Sequence, residues 1–222
     1  MTTFSWLSMG MLAVALGCTR DSVPKSPPLL APAAATDGRA MSLYVATLTP
    51  QNSELAGRRI TGTVSFVARG DQLDVTLDAR GLTDGPHIAM LHGFADEREA
   101  ACPTREADRN RDGVVDSEET TSTTGAPLVP LNYRMSTLGT ASDDYADARD
   151  GRLLFEHSTS QSDLLASLGA EYGIRRLAVE SYAVVVYGVS ELTVVPRSVR
   201  PFANATAWQS LPVACGVVTR IR

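Results

Sequence analysis

The sequence predicts an all-β domain, a sandwich or barrel of short antiparallel strands. Three observations point there. Several short segments alternate apolar and polar residues, Gly, Pro and Asp turns separate them, and a single stretch has helical spacing. In chain order, Ser42–Leu48 opens the series. Ile60–Val67 and Gln72–Asp78 follow, and in the latter Leu73, Val75 and Leu77 share one face. Arg69-Gly70-Asp71 between them supplies a hairpin turn. Further strands fall at His87–Phe94, Arg152–His157, Tyr182–Val189 and Val213–Ile221. Gln161–Leu168 is the helical exception, with Leu164, Leu165 and Leu168 on one side. No internal repeat is visible.

Between the fourth and fifth of these strands lies a calcium-loop pattern. Residues 108–119 read Asp-Arg-Asn-Arg-Asp-Gly-Val-Val-Asp-Ser-Glu-Glu and fit D-x-[DN]-x-[DN]-G-x5-E throughout. Calcium is a hard cation that takes six to eight oxygens, and a loop of this kind supplies them in a fixed order. Asp108, Asn110 and Asp112 offer side-chain oxygens, Val114 its backbone carbonyl, and Asp116 binds directly or through water. Glu119 closes the site with both carboxylate oxygens, and Gly113 admits the sharp turn. The competing reading is an Asp/Asn-rich surface loop that matches by accident.

The N-terminus bears on the compartment. Phe4 to Gly17 is an apolar stretch too short to span a bilayer, where roughly twenty residues are needed. It ends in Ala15-Leu16-Gly17-Cys18, which resembles the bacterial lipobox, in which the Cys is lipidated and becomes the mature N-terminus. The stretch carries no Lys or Arg ahead of it, and a plain signal peptide or a start codon chosen upstream of the real one are the alternatives. Thr19 to Ala40, rich in Pro and Ala, reads as a disordered tether from membrane to domain. The expected organisation is thus signal peptide 1–18, tether 19–40 and one domain over 41–222. About 180 residues suffice for a sizeable core. The expected location is the bacterial envelope, lipid-anchored in the outer membrane, since Thr19 is not the Asp associated with inner-membrane retention.

The chain has three Cys: Cys18, Cys102 and Cys215. With Cys18 lipidated, an oxidising compartment lets Cys102 and Cys215 pair, the alternative being two separate buried thiols. The net charge is −5 with no basic cluster, which argues against a nucleic-acid partner. Nothing in the pattern identifies a protein partner. Asp143-Asp144 and Glu118-Glu119 make no catalytic case beyond the calcium loop, and no Ser/His/Asp or Cys/His arrangement has suggestive spacing.

Gly81-Leu82-Thr83-Asp84-Gly85-Pro86-His87-Ile88-Ala89-Met90-Leu91-His92-Gly93-Phe94-Ala95-Asp96 resembles the copper-site strand of Cu/Zn superoxide dismutases, G-L-x-x-G-x-H-G-F-H-x-H-x-F-G-D. Ala214-Cys215-Gly216-Val217-Val218 resembles the family's C-terminal A-C-G-V-I, and Val184-Val185-Val186-Tyr187-Gly188 its V-V-V-H strand. The order of segments matches over most of residues 42–220, though only these three stretches are close. The resemblance implies an eight-stranded Greek-key β-barrel of the Cu/Zn superoxide dismutase type, with a Cys102–Cys215 disulfide. The closer resemblance is to a bacterial exported branch that carries a calcium-loop-like insert, here 95–130, where other members hold zinc.

The family's ligands are mostly replaced. Its first copper His falls on Met90, its second on His92 and its last on Tyr187, while His87 matches a non-ligand position. No His lies between Cys102 and Gly151, so no zinc site is expected, and the substrate-guiding Arg falls on Pro212. Three His in the whole chain cannot place four imidazoles around a copper that cycles between two states. His157 is read as a solvated or capping residue. The expected function is an envelope-anchored, calcium-binding lipoprotein on a superoxide-dismutase-like scaffold without dismutase activity. The alternative is a copper-binding protein or divergent dismutase with an altered site at Met90, His92 and Tyr187, a soft pair plus a phenol.

Overall fold

The computed structural model describes residues 41–57, 59–138, 144–202 and 204–222. The expected signal peptide, Cys18 and tether lie outside the described residues. The chain forms β1 (Met41–Pro50), a single turn α1 (Ser53–Ala56), β2 (Thr61–Arg69), β3 (Gln72–Arg80), β4 (Gly85–Pro86) and β5 (Ala89–Gly93). After a long excursion come α2 (Ser117–Thr124), β6 (Ala126–Pro130), β7 (Asp147–Ala148), β8 (Arg152–Ser160), α3 (Gln161–Tyr172), β9 (Ala183–Tyr187) and β10 (Pro212–Arg220).

Eight strands make one antiparallel sheet in the order β6-β5-β9-β10-β1-β2-β3-β8, and β4 pairs with β7 apart from it. The last strand lies beside the first, so β10-β1-β2-β3 has the spatial order of a Greek key. The fold is all-β, as the alternation predicts.

Alternation places the core. Leu73, Val75, Leu77 and Ala79 of β3 face inward with Val64 and Phe66 of β2 and with Leu153 and Phe155 of β8. Strand β9 is buried on both faces, which explains its unbroken apolar run. Val184 and Val186 join the main core, while Ala183, Val185 and Tyr187 form a second cluster with Ile88, Met90, Tyr145 and Cys215. Phe94, Cys102 and Phe202 pack onto this second cluster from the long loops. Those loops therefore cover the outer face of the β5-β9-β10 half of the sheet.

The Cys102–Cys215 disulfide ties that cover to the sheet, with Cα atoms 5.7 Å apart. The bond closes a sequence separation of 113 residues, for which loop entropy gives roughly 5 kcal/mol of stabilisation. Four of the differences from the sequence expectation concern β5, β6, α3 and α2. Strand β5 starts at Ala89 rather than His87, because His87 turns its ring to the carbonyls of Thr83 (2.7 Å) and Tyr187 (2.9 Å). The final five residues of the expected insert are β6, an edge strand whose Pro127 and Pro130 are tolerated where no neighbour needs their N–H. The helix Gln161–Tyr172 runs one turn past the leucines and stops at Gly173, at φ +72°. Helix α2 has no counterpart in the expectation.

Candidate functional site

Candidate chemistry gathers at two places, the loop 108–119 and the buried end of β5 where it meets β9.

The loop is entered from a 3-10 turn at Arg105–Ala107, capped by the Thr104 hydroxyl. Gly113 adopts φ +89°, the left-handed conformation that its position in the pattern demands. Asp108 Oδ1 and Oδ2 accept from the N–H groups of Asp112 (3.1 Å) and Gly113 (3.0 Å). Asn110 Oδ1 accepts from Asp112 N–H at 2.8 Å, and Asp112 Oδ1 from Val114 N–H at 3.0 Å. These bonds curl the backbone around its own side-chain oxygens. Each oxygen accepting one bond keeps a further lone pair.

The C-terminal half of the loop starts α2. Asp116 caps the helix through Glu119 N–H (3.0 Å), and the Glu119 carboxylate returns to Asp116 N–H (3.2 Å). This reciprocal pair is a capping box. The other Glu119 oxygen accepts from Arg109 N–H at 2.8 Å and Asn110 N–H at 3.3 Å, so one side chain spans the loop from end to start.

Two outside segments hold the loop in place. Ser198 donates to Asp112 Oδ2, Arg200 N–H donates to Asp116 Oδ2 at 2.9 Å, and the Asn52 side chain bonds Val115. Burial pushes the Asp112 carboxyl up, but hydrogen bonds from Ser198, Val114 N–H and Asn110 outweigh it and hold the group below its ordinary value. The residues fit calcium in donor chemistry, since every donor is a hard oxygen. They are not gathered around one point: among the described residues no group of three or more His, Cys, Asp or Glu has metal-holding geometry.

The second place is buried. His92, 1% exposed, donates from Nδ1 to Gly125 O at 3.1 Å and accepts at Nε2 from the Tyr187 hydroxyl at 2.6 Å. Thr124 Oγ1 lies 3.3 Å from Nδ1. Burial pulls the imidazole pKa down to about 4, the bond to Gly125 offsetting this only in part. Burial also pushes the Tyr187 phenol well above its ordinary value. Both groups are therefore neutral over the physiological range.

Met90 is buried in the apolar cluster that contains Tyr187. The structure thus brings His92 and Tyr187 into direct contact and sets Met90 in the same layer. This arrangement does not fit copper: a single imidazole is present, and both its nitrogens are committed to protein partners. A cavity of about 140 Å³ lies over the pair, walled by Ser117 and Thr121 of α2 and by Arg200 and Phe202. Tyr145, pushed up by burial and by the Asp144 carboxylate, has a hydroxyl with no hydrogen-bond partner among the described residues.

Asp108, Asn110, Asp112, Val114, Asp116 and Glu119 all fall in the one loop the pattern predicts. Cys102 and Cys215 are paired, and His157, half-buried at an edge strand, packs by Phe155 and Tyr133. Sequence reasoning missed Asn52, Ser198 and Arg200. They lie far from the loop in sequence, and no local pattern marks them.

No protein-family model and no curated protein matches the chain. Among solved structures it is similar to the clock protein EA4, at 16% identity and a TM-score of 0.41, over 80% of this chain and 94% of that one. It is equally similar to the Cu/Zn superoxide dismutase from Brucella abortus, at 16% identity and a TM-score of 0.41, over 79% of this chain and 98% of that one. Likenesses of that size carry no functional argument.

Proposed function

We propose that this chain is a calcium-binding lipoprotein of the bacterial envelope, built on a superoxide-dismutase-like scaffold without dismutase activity. The observation that carries the reading is the loop 108–119. It matches the calcium pattern at every constrained position, its Gly113 is left-handed, and its side-chain oxygens already organise the backbone around them. When bound, calcium would neutralise the carboxylates of the segment between β5 and α2 and stiffen it. Asp108, Asn110 and Asp112 would provide side-chain oxygens, Val114 its carbonyl, Asp116 an oxygen directly or through water, and Glu119 both oxygens of the closing carboxylate.

The lipid anchor is proposed on Ala15-Leu16-Gly17-Cys18, with the outer membrane as its location. The loss of dismutase activity is proposed on the single, fully bonded imidazole at the family's copper position. Dissociation constants of extracellular calcium modules, roughly 10⁻⁴–10⁻³ M, set the expected affinity.

The test is Glu119→Gln in the full-length chain, read by calcium titration calorimetry and by protease cutting within 95–125. The expected result is weaker calcium binding and faster cutting at a fixed calcium concentration. Unchanged affinity in the variant removes the loop assignment.

A further inference from the structure

Asn52 sits in the short link after β1, 63 residues before its main partner. Its backbone is left-handed, φ 44° and ψ 38°, a conformation that Asn tolerates better than most residues. It occupies the N-cap of α1, where an Asn side chain ordinarily accepts from the helix's own N–H groups. Here the side chain makes no such cap and faces the loop instead.

Both ends of the amide are engaged. Its Oδ1 accepts from Val115 N–H at 2.9 Å, while Nδ2 donates to Val115 O at 2.8 Å and to Pro212 O at 2.9 Å. The reciprocal pair on Val115 is what a neighbouring strand's backbone would give in an antiparallel bridge. A single side chain thus takes the place of a strand, and its third bond fastens the arrangement to the start of β10, three residues before the disulfide Cys215.

The consequence for metal binding follows from peptide planarity. Val115 N–H and Val114 C=O belong to one peptide unit, which is rigid and trans, so the two groups point in opposite directions. Fixing the N–H on Asn52 therefore fixes the direction of the Val114 carbonyl, on the side away from Asn52. A hydrogen bond to the N–H also polarises the unit and makes its carbonyl oxygen a better donor to a cation. Val114 itself is buried in the main core, so the loop cannot turn this unit by swinging the side chain outward.

We infer that Asn52 is the positioning residue of the calcium site: it aims the Val114 carbonyl and ties calcium occupancy of the loop to β10. The inference rests on the calcium reading above. Partners of this kind, one shell removed from a metal, cost roughly 10- to 100-fold in affinity when removed.

The test compares calcium titrations of the full-length wild type, Asn52→Gly, Asn52→Asp and Glu119→Gln, in high salt so that the added carboxylate of the Asp variant is screened. Asn52→Gly keeps the left-handed backbone open and removes only the amide. Its dissociation constant should rise by about 10- to 100-fold. Asn52→Asp keeps an acceptor for Val115 N–H but loses both Nδ2 bonds, to Val115 O and Pro212 O, so it should recover only part of that loss. If the Gly variant does not fold, the Asp variant decides alone, and a dissociation constant equal to that of the wild type overturns the role of Asn52. Melting of the calcium-free proteins supplies the control, because a purely structural Asn52 lowers the melting temperature with and without calcium alike and leaves the dissociation constant unchanged. That outcome, with Glu119→Gln still weakened, overturns the role of Asn52 and leaves the calcium loop standing. A wild type that takes up no calcium, or a Glu119→Gln variant that binds as wild type does, overturns both.

Discussion

Lowering the pH from 8 to 5 should destabilise this protein through His92 alone by about 2 kcal/mol. The imidazole is wholly buried and its pKa is down from an ordinary 6.5 to about 4. The unfolded chain takes up a proton near pH 6.5 that the folded chain refuses until about 4. The sign follows: the contribution is intact above 6.5, shrinks as pH falls, and is gone below about 4. At 1.36 kcal/mol per pH unit the whole window is worth roughly 3 kcal/mol, of which about 2 is lost by pH 5. The carboxylates of Asp74 and Asp78, held low first by hydrogen bonds from Ser158 and Arg152 respectively, lose their contribution at more acid pH, outside this window. His157 is also depressed by burial and acts in the same direction, so the assay must be differential. Urea unfolding of wild type and His92→Gln at half-unit steps from pH 8 to 5 isolates the term. The wild-type curve should fall more steeply, the two diverging below pH 6.5. Parallel curves refute the buried, neutral His92 and reopen that position to a metal.

Two further predictions concern the cover over the sheet. Replacing Cys102 and Cys215 together by Ala removes a link across 113 residues and should cost about 2–5 kcal/mol, read as a lower urea midpoint that reductant reproduces in the wild type. Gly125→Ala should cost about 3 kcal/mol or more, since the residue sits at φ +82° and a Cβ there would lie 2.1 Å from the Gly93 carbonyl oxygen. Thermal melting of the variant checks it, and a wild-type melting temperature contradicts the close approach of α2's end to β5.

How far the sequence could be read depended on whether a residue's partner is local. Strand β3 alternates strictly because one face meets the core and the other solvent, so Leu73, Val75 and Leu77 announce their own burial. The calcium pattern is local as well, its spacing dictated by a single ion. Helix α2 is the opposite case. Its sequence, Ser-Glu-Glu-Thr-Thr-Ser-Thr-Thr, has no apolar stripe and several poor helix formers. The helix exists because Asp116 and Glu119 cap it, and because Thr120 and Thr124 are buried with hydroxyls returned to carbonyls four residues earlier. A hydrophobicity pattern cannot reveal that. The partners of Asn52, 63 and 160 residues away, and of His92, 33 and 95 away, exist only once the sheet has assembled. Motif likeness groups Met90, His92 and Tyr187, but it says nothing of the hydrogen bond that joins His92 to Tyr187.

The most direct test of the central claim is metal content. The full-length protein, purified from cells given calcium, copper and zinc together and then dialysed, would be analysed by plasma mass spectrometry. One calcium and no transition metal per chain is the expected result. One copper retained through dialysis would contradict it, because His92 has no free nitrogen to offer in the structure described above.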